Sequence, residues 1–261
     1  MGFGLSIEDF SQDSERTGFS DLHRKNLQGR SFVFFRRKGN LRRKFSLPSS
    51  MLIELDNLIP APLPELIVES SSLWGKKIRF QSKSRILISA GSGKGKSTLL
   101  HMLYGLRCDY SGEIRLNDKS AREFSSKEWQ TYRRERVALQ FQELRLFPNL
   151  SALENLLLLP SVNPSVQSPE EMSERLGMAS FLNKKITTLS FGQRQRIALI
   201  RVLRKPFELL MLDEPFSHLD QANQVLACSL IEEVVRINQA SLLVSSLGPI
   251  PPLSFNQSIS L

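Results

Sequence analysis

Short apolar runs separated by polar or Gly-rich breaks set the pattern of residues 51–261. Ile86-Leu87-Ile88, Val137-Ala138-Leu139, Leu209-Leu210-Met211-Leu212 and Leu242-Leu243-Val244 are unbroken by polar residues. Runs this short that do not alternate suit strands covered on both faces, as in a parallel sheet. Arg85 to Ser89, Val137 to Gln142, Leu209 to Asp213 and Leu242 to Val244 are therefore expected as strands. Between them the spacing predicts helices. One opens near Lys96 and runs to about Leu106. A polar one spans Ser126 to Glu135. A third starts from the capping-box outline Ser151-Ala152-Leu153-Glu154 and ends at Pro160. Glu170 to Leu176, Met178 to Leu182 and Arg194 to about Arg204 follow. After Asp220, a helix is expected to carry Ala222, Leu226, Leu230 and Val234 on one face.

Shorter strands are expected at Met51 to Leu55, Trp74 to Phe80 and Glu113 to Leu116. Pro60, Pro62 and Pro64 break the chain after the first, and Tyr110-Ser111-Gly112 reads as a turn. The tail from Gly248 carries three prolines and has room for one last strand. An α/β order with a parallel sheet results.

Composition bounds the class without naming it. The chain has 261 residues, of which 41% are apolar, enough for one domain with a sizeable core. No apolar stretch is long enough to cross a membrane as a helix, and the N-terminus, with Glu8, Asp9, Asp13 and Glu15, does not read as a secretory signal. The two cysteines, Cys108 and Cys228, lie far apart and are expected as ordinary thiols of a reduced, cytosolic protein. Net charge is +9, and residues 1–50 hold ten lysines and arginines against five acids. Those residues lack sustained periodicity and are expected to be a disordered basic extension. The composition break at Leu47 to Ser50 before Met51 also fits a physiological start at Met51, with the extension absent from the mature protein. Basic charge so localised does not by itself imply nucleic-acid binding, and none is expected.

The chemistry starts at Ser89-Ala90-Gly91-Ser92-Gly93-Lys94-Gly95-Lys96-Ser97-Thr98. Strand, Gly-rich loop and helix follow one another here. Gly91, Gly93 and Gly95 let backbone N–H groups approach an anion, and the helix start adds its dipole. Lys96 would reach the outer phosphates of a nucleotide, and the Ser97 hydroxyl would ligate Mg²⁺. Ala90 stands where the usual pattern has its first Gly, and such a run also occurs as a plain surface loop. Leu209 to Pro215 supplies what that loop lacks. It delivers Asp213, which can hold Mg²⁺ beside Ser97, and Glu214, placed to activate a water. Gln142, at a neighbouring strand end, can contact the metal or that water.

With these residues the chain resembles the ATP-binding subunits of ABC transporters. Lys96-Ser97-Thr98 matches the Walker A core, Gln142 the Q-loop, Leu189-Ser190-Phe191-Gly192-Gln193 the family signature, Leu209 to Glu214 Walker B, and Ser217 to Asp220 the D-loop. Their order and spacing are the family's over residues 51–261. Phe141 to Pro148 with Glu154-Asn155 resembles the short bacterial cassettes of lipoprotein release, macrolide export and cell division. The resemblance implies a P-loop NTPase core of mainly parallel sheet, an N-terminal antiparallel β part, and a small helical subdomain at about 143–192. It implies ATP and Mg²⁺ as ligands. Gly91, Ser92, Gly93, Lys94, Gly95, Lys96, Ser97 and Thr98 would hold the nucleotide. Ser97, Gln142 and Asp213 would hold the metal. Glu214, Gln142 and Ser246 would be catalytic. Ser190, Gly192 and Gln193 would close on the ATP of a second copy in a head-to-tail dimer. A separate transmembrane permease would sense that closure through the groove near Gln142 to Glu154. The expected location is the cytoplasmic face of the inner membrane.

Three positions depart from the family pattern. Phe191 replaces a signature Gly, Ser246 stands where the switch His is expected, and the segment Ile59 to Leu63 lacks the adenine-stacking aromatic. Transport ATPase is the first reading. An ATP-switched signalling or cell-division cassette with little turnover is the alternative, for which Ser246 leaves room. Repair and translation cassettes would need coiled coils, Cys clusters or a second cassette, which the sequence lacks. Asn183-Lys184 continues as Lys185-Ile186 without the base-reading Asp of a GTPase. Lys94 is expected to face water, His101 to pack against the core and His218 to lie on a dimer surface.

Overall fold

The computed structural model describes residues 19–25, 31–37, 51–248 and 251–261. Two units divide the chain, residues 1–46 and 47–261. In the first, β1 (Phe19–Lys25) pairs antiparallel with β2 (Ser31–Arg37). No regular element was expected there. The run Phe32-Val33-Phe34-Phe35 in β2 has the aromatic and β-branched content that favours extended pairing. The remaining residues of the expected disordered extension lie outside the described residues.

The second unit follows as β3 (Ile53–Pro60), α1 (Glu65–Ser70), β4 (Lys77–Phe80), β5 (Arg85–Ser89), α2 (Lys96–Leu103), β6 (Tyr110–Leu116), β7 (Lys119–Ser120) and α3 (Ser126–Glu135). Then come β8 (Val137–Gln140), α4 (Ala152–Leu157), α5 (Pro169–Arg175), α6 (Phe191–Leu203), β9 (Leu209–Asp213), α7 (Gln221–Asn238), β10 (Ser241–Ser246) and β11 (Gln257–Ser260).

The unalternating runs do form a parallel sheet, in the order β11-β5-β10-β9-β8. Burial on both faces explains the missing alternation. Leu210, Leu212, Leu242 and Val244 enter one core beneath α4, α5, α6 and α7. Leu209, Met211 and Leu243 enter the other, with Leu99, Leu100 and the antiparallel strands. That second sheet runs β4-β3-β6-β7. Between Gln140 and Ser190 the regular elements are helical, apart from a single bridge between Ser151 and Lys185. Both α4 and α5 start with the reciprocal Ser–Glu capping box, at Ser151–Glu154 and Ser168–Glu171. The ionised carboxylate is the acceptor in each, so both glutamates titrate below their ordinary value, chiefly through these backbone bonds.

Several expectations are corrected. Tyr110-Ser111-Gly112 is no turn; it is the start of β6, which pairs with β3 across a register shift between Asp56 and Ile59. The bulge absorbs the irregularity, so pairing continues through it. The strand expected from Trp74 is confined to Lys77–Phe80, because Trp74 is fully buried beneath the Gly-rich loop. α1 was not expected; Pro64 stands at its N-cap, where a missing N–H costs nothing. On α7 the buried residues are Ala227, Cys228, Leu230, Ile231, Val234, Val235 and Asn238, while Ala222 and Leu226 are exposed. A row spaced by four turns about 40° around the helix per step, so its first two members leave the covered face. The signature helix starts at Phe191, three residues earlier than expected.

Candidate functional site

β5 leads into the Gly-rich loop and α2 leaves it. Gly95 is the N-cap of α2 with φ +95°, and a Cβ there would lie 3.0 Å from the Trp74 ring. Only Gly fits both constraints. The Trp74 indole N–H donates to the Lys94 carbonyl at 3.2 Å and fastens the loop from below. Lys96 is buried and curls back over the loop. Its Nζ donates to the carbonyls of Ala90 (2.8 Å) and Gly91 (3.0 Å). The same Nζ lies 3.4 Å from Glu214 Oε1.

Glu214 arrives from the end of β9. It follows Asp213, which is 2% exposed, and it takes the left-handed conformation at φ +49°. For a residue with a Cβ that costs roughly 1–2 kcal/mol, so neighbours must hold it. Gln195 Nε2 donates to the Glu214 carbonyl at 3.1 Å. The Glu214 N–H donates to Ser245 Oγ at 3.1 Å, and Ser245 Oγ donates to Asp213 Oδ1 at 2.6 Å. Ser245 faces Asp213 across the β10–β9 register and is fully buried. One hydroxyl thus ties both acids in place. The sequence reading passed over it for Ser246. The available signal was a hydroxyl at the C-terminal end of a buried parallel strand, beside the strand that ends in Asp-Glu.

A cavity of about 250 Å³ lies over the loop. Ser92, Gly93, Gly95, Lys96, Ser97, Thr98, Gln142 and Glu214 line it, together with Pro60, Pro62, Leu63, Arg107 and Leu247. The structure thus gathers most of the expected nucleotide residues around one space. Gly91 serves through its carbonyl, and Lys94 is not among the lining residues. Gln142 reaches the cavity from just beyond β8, which ends at Gln140. Ser97 and Gln142 line the cavity; Asp213 is not among the lining residues, and its carboxylate accepts from the Ser245 hydroxyl. Hydroxyl, amide carbonyl and carboxylate are hard oxygen donors. They suit Mg²⁺ shared with phosphate oxygens; no set of three His, Cys, Asp or Glu able to cage a metal occurs among the described residues. His101 packs against Phe141, with ring centroids 5.6 Å apart. Burial holds its pKa below the usual value, against an opposite pull from Asp213.

Ser190, Gly192 and Gln193 do not line this cavity. They form the first turn of α6, where Ser190 caps the helix and its N–H donates to Gln193 Oε1. Ser190 is exposed. A Cβ on Gly192 would meet the His218 carbonyl at 2.7 Å, so the helix start rests directly on the Ser217–Asp220 loop. Phe191 leans outward onto the His218 ring, with centroids 4.1 Å apart. Ser246 is also outside the loop cavity. Its Oγ bonds within its own turn to Gly248, and it lines a neighbouring space with Glu214, Leu219 and Gln224. Leu247 lines the cavity over the Gly-rich loop in its place.

A larger cavity, about 400 Å³, opens elsewhere. Arg133, Arg134, Arg145, Arg201 and Lys205 line it, with no acid among the lining residues. Gln140 lies in its wall, 3% exposed, with neither amide atom hydrogen-bonded. Lys205 donates to the Arg133 and Val137 carbonyls. Burial, with Arg201 and Arg133 nearby, lowers its pKa to about 8.

Comparison with known proteins agrees with this geometry. The family model "ABC transporter" matches residues 75–217. The thiamine import ATP-binding protein ThiQ of Haemophilus influenzae is 35% identical over 177 residues, 66% of this chain and 80% of that protein. The lipoprotein-releasing system ATP-binding protein LolD of Saccharophagus degradans is 31% identical over 177 residues, 66% of this chain and 78% of that one. A dimeric ATP-binding cassette, solved in a post-hydrolysis state with ADP and Pi, superposes with TM-score 0.55 at 25% identity. That match covers 74% of this chain and 87% of the other. A bacterial Atm1-family ABC exporter with ATP bound shares the fold, with TM-score 0.62 at 17% identity, over 76% of this chain and 35% of that chain. A Gly-rich loop closed by Lys96, two acids at the end of β9 and a capped signature helix therefore fall together for a shown reason: this chain belongs to the ABC transporter family, as one of its ATPase cassettes.

Proposed function

We propose that this cassette hydrolyses Mg²⁺-ATP as a head-to-tail dimer and so drives a separate membrane permease, working at the cytoplasmic face of the inner membrane. The observation that carries it is the contact between Lys96 and Glu214 at the floor of the loop cavity. The lysine rests on loop carbonyls and on the acid. A γ-phosphate would draw Lys96 away and leave the Glu214 carboxylate to accept a proton from an attacking water. Ser97, Gln142 and Asp213 would hold Mg²⁺, which supplies charge neutralisation across the phosphates. Backbone N–H groups of the loop would hold the phosphates themselves.

The exposed cap of α6 supports the dimer. Ser190 and Phe191 are exposed at the start of α6, and the positive dipole end of that helix suits the γ-phosphate of a second copy. The basic cavity supports the permease. Five cationic side chains without a lining acid, above a buried unpaired amide, suit an acidic segment of a membrane partner. Leu159 and Pro160 on its rim belong to the groove beside α4. Cargo selection would lie with that partner.

ATP turnover measured across protein concentrations tests the reading, with Glu214→Gln alongside. Turnover should rise more steeply than linearly with concentration. The variant should lose about 10²–10⁴ in rate and still bind ATP. Linear turnover would remove the dimer, and an active Glu214→Gln would remove the base. Bound ATP with no turnover in the wild type would favour the signalling alternative.

A further inference from the structure

The loop cavity is lined by more than the loop and the acid. Pro60, Pro62, Leu63 and Arg107 line it as well, and Arg107 is tied to the Ala61 carbonyl between the two prolines. If the loop seats a triphosphate, the part of the nucleotide beyond the phosphates has this wall beside it. Among the described residues, no aromatic ring lines this cavity. Two of the lining residues are prolines, which have no N–H with which to read a base edge. The single flat π-system in that wall is the Arg107 guanidinium.

Its plane is fixed by contacts along its edges. Nε donates to Asp109 Oδ1 at 2.8 Å, and Nη2 donates to Asp109 Oδ2 and to the Ala61 carbonyl, the latter at 2.8 Å. Nη1 reaches Thr98 Oγ1 at 3.4 Å, tying the group to α2 just beyond the loop. Guanidinium N–H bonds lie in the plane of the group, so these contacts use its edges and leave its faces. Asp109 also offsets the charge, which weakens Arg107 as a phosphate ligand. A flat, weakly hydrated face remains, and such faces stack on nucleobases.

We infer that Arg107 is the base-recognition residue of this cassette, stacking its guanidinium on the nucleobase where an aromatic ring is absent. This rests on the loop holding a nucleoside triphosphate. Stacking reads ring area and not edge pattern, so purines are preferred over pyrimidines while adenine and guanine are held similarly.

Titration calorimetry with the full chain tests it, using ATP, GTP, UTP and inorganic tripolyphosphate as probes. Arg107→Ala should weaken ATP and GTP roughly tenfold and leave tripolyphosphate within about twofold. Arg107→Lys keeps the charge and loses the plane, so it should resemble the alanine variant. Retained tripolyphosphate binding shows that both variants are folded. If ATP and tripolyphosphate fall together, Arg107 serves the phosphates or the loop and the inference is overturned. Unchanged ATP affinity overturns it too, as does full rescue by lysine. A wild-type chain that binds neither ATP nor tripolyphosphate overturns the nucleotide reading beneath it.

Discussion

Two cavities of this molecule gather cations and manage them in opposite ways. Over the phosphate loop each cation already has an acid: Lys96 has Glu214 and Arg107 has Asp109. In the larger cavity Arg133, Arg201 and Lys205 donate to backbone carbonyls of Tyr104, Leu144 and Arg133, and no acid lines the space. The first arrangement is internally balanced, and an incoming anion must displace a partner already in place. That exchange can release Glu214 for chemistry. In the second, Arg134 is paired with Glu135 while Arg133, Arg201 and Lys205 rest on carbonyls, which leaves positive charge in excess that an external acid can meet. On the proposed function, the difference separates a site that switches from a site that docks.

Lys96→Ala should break the comparison most strongly. It leaves Glu214, 9% exposed at its side chain, without its cation. Removing one member of a buried pair costs about 3 kcal/mol, so urea unfolding of the nucleotide-free chain should register a loss of that size. ATP should no longer raise the melting temperature. A variant as stable as the wild type would show that Lys96 and Glu214 do not balance one another.

Ser245→Ala sharpens the comparison within the loop cavity. The hydroxyl serves one acid directly and the other through its backbone N–H. Hydrogen bonds to charged groups contribute about 1.5–3 kcal/mol, so kcat should fall about tenfold or more. The Mg²⁺ concentration for half-maximal rate should rise, and Ser245→Thr should restore both. A fall in stability with an unchanged Mg²⁺ requirement would reduce Ser245 to a packing residue.

The smallest effect is expected at the docking cavity. Arg134→Glu with Arg145→Glu, both at exposed positions, should leave basal ATP turnover unchanged and weaken association with the permease in a pull-down. Wild-type docking should also weaken as pH rises through about 8, where Lys205 loses its proton. The isolated cassette should move the other way. Folding lowers this lysine's pKa, so the unfolded chain binds more protons between pH 8 and the ordinary lysine value. Stability should therefore rise across that interval. Docking that is insensitive to both pH and charge reversal would remove the acidic partner.

Much of the site was legible along the chain because its parts are local. Gly95, Lys96 and Ser97 act through one turn of backbone, and Asp213-Glu214 stand where a buried apolar run ends. Ser245 was legible only as a hydroxyl ending a buried apolar run; its choice over Ser246 depends on register pairing with Asp213. Arg107 was not legible, because it meets Thr98 and Ala61 across a return of the chain. The expected helix face on α7 failed for a related reason. A four-residue row looks continuous in sequence, but only packing against α5 and α6 decides which turn of it is covered.

The sequence by itself determined the strands of the parallel sheet, the Gly-rich loop between strand and helix, and the two acids at a strand end, because hydrophobic runs and backbone turns are set by neighbouring residues. Tertiary structure decided which side chains share a space. It placed Leu247, and not Ser246, over the loop, gave both acids to the Ser245 hydroxyl, and collected five cations from α3, the chain after β8, α6 and the residues just past it around Gln140. Those outcomes depend on strand register and on which helix ends converge, and no local pattern of residue types encodes either.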